Sequence, residues 1–298
     1  MKTSFMNRVA ELYFRLQPKL SEAAFDSLMD LKGKRPEKPA VPPGSMGGRR
    51  ETGPNGSLLF FQEDRTDTPV IFYCHGGSYI RNFSCFHWRF IQKLMARTGA
   101  TVVAPDYRLA PRGTWEEAFR LILPCYDRFA AAYPKRKLIL MGDSAGGGLA
   151  AALAEELLKT GGRLPDELIL LSPWTDVTIS DPDVEPFLPL DPWLTPAHRA
   201  CGRRWAGTVD QRDPRVSPAF GIVKGLRRVT IFVGTREILN PDGVKLFSRL
   251  DADGDCELIV GEGMFHVYPL LPIPEAREAM DRIVEKITRP AEQKDRLA

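Results

Sequence analysis

Short apolar runs rich in β-branched residues recur along the chain from residue 58 onward. They are Leu58–Phe61, Val70–Cys74, Thr101–Ala104, Leu138–Met141, Leu168–Leu171, Val229–Val233 and Leu258–Val260. Short apolar runs bounded by turn residues are typical of strands that are buried on both faces, as in a parallel sheet.

Stretches with helical periodicity lie between most of these runs. They are Phe86–Arg97, Trp115–Ala132, Ser144–Lys159, Gly243–Leu250 and Glu275–Ile287. Strands that alternate with helices predict the α/β class, with a mostly parallel, doubly wound sheet and flanking helices.

Two segments depart from this alternation. Residues 1–50 contain two short amphipathic patterns followed by a Gly-, Pro- and Lys-rich linker over 32–49, so residues 51–298 form the predicted main domain. Within that domain, residues 173–225 are Pro-rich and offer no convincing strand. Open α/β sheets bind ligands at the carboxyl edge. We therefore expect the N-terminal helices and the 173–225 insertion to form a helical cap there, although a surface excursion without a role stays open.

A Gly-x-Ser-x-Gly motif follows the apolar run that starts at Leu138. Gly142-Asp143-Ser144-Ala145-Gly146 leads directly into a predicted helix, which is the strand–turn–helix context of a nucleophile elbow. The two glycines leave room for backbone in a tight turn, and the helix N-terminus favours developing negative charge. Ser144 is the predicted nucleophile.

A serine nucleophile needs a general base, and the chain has four histidines. In this kind of site the order along the chain is Ser, acid, His, which excludes His75 and His87 and leaves His198 and His266. His198 lies in the Pro-rich insertion, where we expect a solvated loop residue. His266 follows the last apolar run and precedes the last helical pattern, so we predict His266 as the base.

The acid that orients the base should follow a strand. Glu237 and Asp242 both come after the run Val229–Val233. Glu237 is nearer to the strand end and is the predicted acid, with Asp242 as a helix N-cap. Asp242 stays open as the acid, and Asp176 is a weaker candidate.

Backbone N–H groups are needed to stabilise the oxyanion. The sequence His75-Gly76-Gly77-Ser78 follows a predicted buried strand, and its glycines allow close approach of the backbone to substrate. We predict an oxyanion hole formed by Gly76, Gly77 and Ala145, with His75 supporting the loop through hydrogen bonds.

Together these motifs resemble the hormone-sensitive-lipase branch of the α/β-hydrolases over roughly residues 55–290. The residues that carry the resemblance are His75–Ser78, Asp106–Pro111, Gly142–Gly147, Leu171–Asp176 and Asp213–Pro218. The resemblance implies a carboxylesterase acting on small acyl esters through an acyl-enzyme, with no metal and no cofactor, a helical cap and a possible homodimer.

Two residues depart from the family pattern. Ser78 replaces the third glycine of the oxyanion motif, which leaves open whether Gly76 and Gly77 or Gly77 and Ser78 supply the donors. Glu237 stands where the family usually has aspartate and is one methylene longer.

Composition restricts the partners and the compartment. The net charge is +3 and is spread along the chain, so nucleic acid and an anionic membrane are not expected. No signal peptide or transmembrane run is apparent. Five cysteines without paired spacing fit reduced thiols in a cytoplasmic protein.

Three other functions use the same sequence features. An amidase or formamidase would employ the same residues, and the motifs do not separate it from an esterase. A ligand-binding receptor of this family would lack the catalytic histidine, which His266 argues against. A long-chain lipase is less expected, since no extended exposed apolar lid is apparent.

Overall fold

A computed structural model describes residues 3–36, 38–65, 67–252 and 254–290. The first two residues of the predicted N-terminal segment and residues 291–298 of the predicted main domain lie outside the described residues.

One eight-stranded sheet forms the centre of the molecule. Its strands are β1 (Arg49–Gly53), β2 (Gly56–Phe61), β3 (Val70–Cys74), β4 (Thr101–Tyr107), β5 (Leu138–Asp143), β6 (Glu167–Leu171), β7 (Val229–Gly234) and β8 (Glu257–Gly261). Their order across the sheet is β1-β2-β4-β3-β5-β6-β7-β8. The pairs β1–β2 and β2–β4 are antiparallel, and the pairs from β4 to β8 are parallel. The predicted mostly parallel sheet is confirmed.

Helices cover both faces of this sheet. They are α1 (Phe5–Arg15), α2 (Glu22–Gly33), α3 (Cys85–Thr98), α4 (Trp115–Ala132), α5 (Ala145–Thr160), α6 (Arg199–Ala206), α7 (Asn240–Ser248) and α8 (Glu275–Thr288). The apolar side chains of α4, α5 and α7 pack in one hydrophobic cluster, and those of α3 and α8 pack in another. Every residue of β3, β5, β6 and β7 is buried, as strands covered on both faces must be.

The two segments outside the alternation meet each other. Residues 173–225, all of them described, contain α6 and short 3₁₀ turns but no strand. The acidic face of α2 pairs with the arginines of α6, through Glu22–Arg199, Asp26–Arg203 and Asp30–Arg204. Phe14 of α1 stacks on Trp193 of the insertion, with ring centroids 4.1 Å apart.

Two features differ from the sequence expectations. Strand β1 begins at Arg49, inside the predicted linker; it is polar and exposed at the sheet edge, so no apolar run marks it. Helix α1 also presents an exposed apolar face, which the sequence did not indicate when no extended exposed apolar lid was apparent in it. Its exposed residues are Phe5, Met6, Val9, Leu12, Tyr13 and Leu16.

Candidate active site

Ser144 lies in a sharp turn between β5 and α5. Its backbone has φ 53° and ψ −123°, in a region that L-residues rarely adopt. Its N–H donates to the carbonyl of Leu171 (2.8 Å), which ties the turn to the neighbouring strand β6. A Cβ on Gly146 would lie 2.1 Å from the carbonyl oxygen of Cys74, so the turn can form only with glycine at that position.

His266 lies in the loop between β8 and α8 and is buried with Ser144. Its Nε2 is 2.9 Å from Ser144 Oγ, and its Nδ1 is 2.7 Å from Glu237 Oε2. The structure therefore brings the three predicted residues into one hydrogen-bonded chain. With Nδ1 donating to the carboxylate, Nε2 is free to accept the Ser144 hydroxyl proton.

Glu237 is fully buried just after β7, and its second oxygen is also engaged. Oε1 accepts hydrogen bonds from the Gly234 N–H (2.6 Å) and the Ser172 hydroxyl (2.9 Å). Ser172 Oγ in turn accepts from the N–H of Val267 (3.0 Å), the residue after His266. Ser172 therefore links Glu237 to the loop that carries His266. The sequence predicted no role for Ser172, although it lies in the Leu171–Asp176 motif.

The alternative acids lie elsewhere. Asp242 Oδ2 accepts hydrogen bonds from the N–H groups of Thr175 (2.8 Å) and Asp176 (2.9 Å). Burial raises the pKa of Asp242 to about 7, although these two N–H groups partly oppose that shift. Asp242 thus braces the segment after β6, and neither it nor Asp176 makes a hydrogen bond to His266.

His198 is not the solvated residue that the sequence suggested. It is partly buried at the start of α6, its ring lies 4.7 Å from the ring of Phe25, and its Nδ1 bonds the Thr195 carbonyl (2.9 Å). Burial lowers the pKa of His198 to about 4, so the ring is neutral at neutral pH. It lines the cavity beside Ser144 without a hydrogen bond to the serine.

The loop after β3 presents backbone N–H groups near Ser144. Gly77 has φ 114°, and Ser78 and Tyr79 also have positive φ. The N–H of Gly76 donates to Asp143 Oδ1 (3.0 Å). The expectation that Gly76 is an oxyanion donor therefore disagrees with this geometry. Gly77 and Ser78 line the cavity, and their N–H groups have no acceptor among the described residues.

Asp143, the residue before Ser144, holds this loop. Its Oδ1 also accepts from the Tyr73 hydroxyl (2.6 Å), and its Oδ2 lies 3.2 Å from His87 Nε2. Burial opposes ionisation of Asp143, but His87 and the hydrogen bonds from Tyr73 and Gly76 outweigh it and lower its pKa. A buried carboxylate thus connects the turn at Ser144 to the loop after β3.

His75 packs behind the same loop. Its ring lies between those of Phe83 (4.2 Å) and Tyr107 (4.5 Å), and its Nδ1 is 2.7 Å from the Gly76 carbonyl oxygen. A carbonyl only accepts, so Nδ1 carries the proton. Burial lowers the pKa of His75 to about 4, which keeps the ring neutral.

A cavity of about 170 Å³ opens onto Ser144 and His266. Apolar side chains from the insertion and from the loop after His266 form much of its wall: Trp193, Leu194, Val267, Leu270 and Leu271. Trp193 also meets the His266 ring edge to face at 5.6 Å. The segment over the site therefore shields the histidine from water.

Comparison with known proteins agrees with this geometry. A family model described as alpha/beta hydrolase fold matches residues 71–270. The chain belongs to the α/β-hydrolase family. This hydrolase is 31% identical over 227 residues to an esterase of Acinetobacter venetianus, covering 74% of this chain and 75% of that one. It is also 31% identical over 224 residues to an acetyl-hydrolase of Streptomyces hygroscopicus, covering 73% and 74%.

Solved structures show the same fold. An esterase from the bacterial hormone-sensitive lipase family superposes on this α/β-hydrolase with a TM-score of 0.78 and 25% identity, covering 98% of this chain and 100% of that one. The resemblance to the hormone-sensitive-lipase branch is confirmed. None of the helices in the described residues has the length and apolar character needed to cross a membrane.

Proposed function

We propose that this α/β-hydrolase cleaves small carboxylic esters through a covalent acyl-enzyme, with Ser144 as nucleophile, His266 as general base and Glu237 as the acid that orients it. The observation that carries the proposal is the chain of hydrogen bonds from Ser144 Oγ through His266 to Glu237. The enzyme class, carboxylic ester hydrolase, is supported by the esterase and acetyl-hydrolase relatives.

The first half of the reaction forms the acyl-enzyme. His266 Nε2 removes the Ser144 hydroxyl proton while Oγ attacks the ester carbonyl carbon. The protonated His266 then donates that proton to the alkoxide oxygen as the C–O bond breaks, and the alcohol leaves. Glu237 remains ionised and stabilises the imidazolium through Nδ1.

The second half releases the acid. A water molecule gives a proton to His266 Nε2 as its oxygen attacks the acyl carbon, and the proton returns to Ser144 Oγ when the acyl–serine bond breaks. Each proton removed is therefore returned, and no cofactor enters either step.

The oxyanion of both steps needs donors that are already in position. Our proposal assigns the N–H groups of Gly77, Ser78 and Ala145. Ala145 is the first residue of α5, where the N–H has no intrahelical acceptor. Gly76 is left out, because its N–H is held by Asp143. Loss of one such donor typically reduces kcat by about 10²–10³-fold.

The size of the cavity favours short acyl chains. Its volume of about 170 Å³ is smaller than the roughly 300–1,000 Å³ of pockets that hold drug-sized ligands. The segment that contains Trp193 and Leu194 closes it on the side of the insertion, in agreement with the proposed role of residues 173–225 as a cap.

The test is hydrolysis of p-nitrophenyl esters from acetyl to decanoyl by the wild type and Ser144→Ala. We expect kcat/KM to be highest for the shortest chains and turnover to fall to background in the variant. The p-nitroanilide of the best acyl group measures the competing amidase activity. Equal turnover by Ser144→Ala would rule out the proposed nucleophile, and faster turnover of the anilide would make the protein an amidase.

A further inference from the structure

A second cavity, of about 260 Å³, adjoins the one at Ser144. The two cavities share three wall residues, Arg81, Trp193 and His198. The remaining walls of the second cavity come from Thr195 of the insertion and from α1, the α1–α2 connection and α2, which contribute Tyr13, Phe14, Lys19, Leu20 and Phe25 among others. Because they share these residues, the two cavities lie side by side at Arg81, Trp193 and His198.

Arg81 lies at the junction of the two cavities. Its N–H donates to the Gly77 carbonyl (2.9 Å), so the residue closes the turn that carries the proposed oxyanion donors. Its side chain is exposed, and among the described residues its guanidinium makes no ion pair and no hydrogen bond. By contrast, Arg236, the residue before Glu237, is paired with Glu11 (2.7 Å).

Among the described residues, the wall of the second cavity carries positive charge only. Lys19 is the other cation in the wall of the second cavity, where it donates to the carbonyl of Trp193 (2.9 Å). Asp143 is the carboxylate that lines the first cavity, and its oxygens are already engaged by Tyr73, Gly76 and His87. No carboxylate lines the second cavity among the described residues.

His198 adds no positive charge to this junction, because burial lowers its pKa to about 4. The permanent charge at the junction is the Arg81 guanidinium, whose fork of N–H groups matches a carboxylate in two parallel hydrogen bonds.

We propose that this enzyme prefers esters that carry a carboxylate, and that Arg81 binds this carboxylate at the junction of the two cavities while the ester bond lies against Ser144. The inference rests on the proposed esterase function and deepens it, since it names the substrate class. Arg81 is a specificity-determining residue and takes no part in the proton transfers.

Two matched substrate pairs place the carboxylate on either side of the ester bond. The acyl-side pair is mono-4-nitrophenyl glutarate and 4-nitrophenyl valerate. The alcohol-side pair is 4-carboxyphenyl butyrate and the methyl ester of its carboxyl group. For each pair the quantity measured is the ratio of kcat/KM for the charged ester to kcat/KM for the neutral one.

The variants are Arg81→Gln and Arg81→Lys, with Arg89→Gln as control because Arg89 is an exposed residue of α3 that lines neither cavity. In at least one pair we expect Arg81→Gln to lower the ratio by about tenfold, the usual scale of a charge-assisted contact. Arg81→Lys should keep part of the preference, and added salt should reduce the wild-type ratio. Arg89→Gln should match the wild type.

Ratios that stay within about twofold of wild type in both pairs would overturn the inference. An equal loss on charged and neutral esters would also overturn it, since Arg81 would then act by holding the loop after β3. In either case the neutral esters still report on the proposed function, which fails separately if Ser144→Ala retains their turnover.

Discussion

Ser144 is held in a strained backbone conformation by contacts on three sides. Its N–H bonds the Leu171 carbonyl, and its carbonyl accepts from the N–H groups of Gly148 (3.0 Å) and Trp174 (2.9 Å). A non-glycine residue at φ 53° and ψ −123° costs about 1–3 kcal/mol and persists only when its surroundings impose it. Here that conformation directs Oγ toward His266 Nε2.

Two buried acids follow β7: Glu237 in the loop and Asp242 in α7. Substituting each in turn tests which of them acts on His266. Glu237→Gln replaces the acceptor of His266 Nδ1 by an amide, so we expect kcat for an ester to fall by about 10²–10⁴-fold. Asp242→Asn is the matched control. It should keep kcat within about threefold and lower Tm, because it weakens the hydrogen bonds to Thr175 and Asp176.

Steady-state kinetics and thermal unfolding of both variants provide the measurement. A large loss of kcat in Asp242→Asn with full activity in Glu237→Gln would show that Asp242, and not Glu237, is the acid that orients His266.

At this scale the sequence predicted the residues that the structure brings together, but not all of their neighbours. Three residues could be predicted because chain order and strand ends place them at one sheet edge: Ser144, Glu237 and His266. Two contacts could not be predicted: the hydrogen bond from the Gly76 N–H to Asp143, and the bridge through Ser172. Both depend on side-chain geometry between distant segments. The environment of His198 was missed for the same reason, because Phe25 reaches it from another helix.

Helix α1, which is largely exposed, contacts residues that adjoin Glu237 and His266. Glu11 pairs with Arg236, the residue before Glu237, through two hydrogen bonds of 2.7 and 3.0 Å. Phe14 stacks on Trp193 and meets Phe265 at 5.6 Å, next to His266. The helix therefore contacts the loops that carry Glu237 and His266, while most of its own surface is exposed.

Phe14→Ala tests this connection. The substitution removes the ring that supports Trp193 above His266, so kcat/KM for an ester should fall roughly two- to tenfold, as expected for one aromatic pair. Leu12→Ala is the control on the same helix, since Leu12 is 57% exposed, and it should keep wild-type kinetics. Equal kcat/KM values for the two variants would contradict a role of α1 in supporting the site.

The elements themselves were largely readable from the sequence. Trp115–Ala132 and Val70–Cys74 have the predicted bounds, because long periodic helices and buried strands carry strong apolar patterns. Strand β1 was missed, since an exposed edge strand needs no apolar residues. The assignment of residues 1–50 and 173–225 to a cap stays a prediction, as do dimerisation and the cytoplasmic location.

For the whole molecule, we expect stability to depend on a buried acid outside the hydrogen-bonded chain of Ser144, His266 and Glu237. Glu155 of α5 is 7% exposed, and its carboxylate oxygens have no hydrogen-bond partner of ordinary geometry among the described residues. Burial raises the pKa of Glu155 to about 8, and the Arg249 guanidinium only partly opposes this. The folded protein therefore retains a proton that the unfolded chain loses near its ordinary pKa of 4.5.

The sign of the pH dependence follows from this difference. The contribution of Glu155 to stability is present below the unfolded pKa and is lost as pH rises toward the folded pKa of about 8. Glu155→Gln does not titrate, so its Tm relative to wild type should increase by roughly 2 °C or more between about pH 5.5 and pH 8.5. Glu156→Gln, at the adjacent and partly exposed position, should show no such trend. A pH-independent difference for Glu155→Gln would contradict a protonated Glu155.

In the proposed mechanism His266 activates Ser144 as the nucleophile. The most direct measurement is peptide mass analysis after reaction with diethyl 4-nitrophenyl phosphate, which transfers a phosphoryl group to an activated serine. We expect one diethylphosphoryl group on the Ser144 peptide of the wild type, a loss of ester turnover in proportion to the labelling, and no labelling of His266→Ala over the same time. Labelling of a different residue, or an unlabelled Ser144 in a protein whose ester turnover is lost, would contradict it.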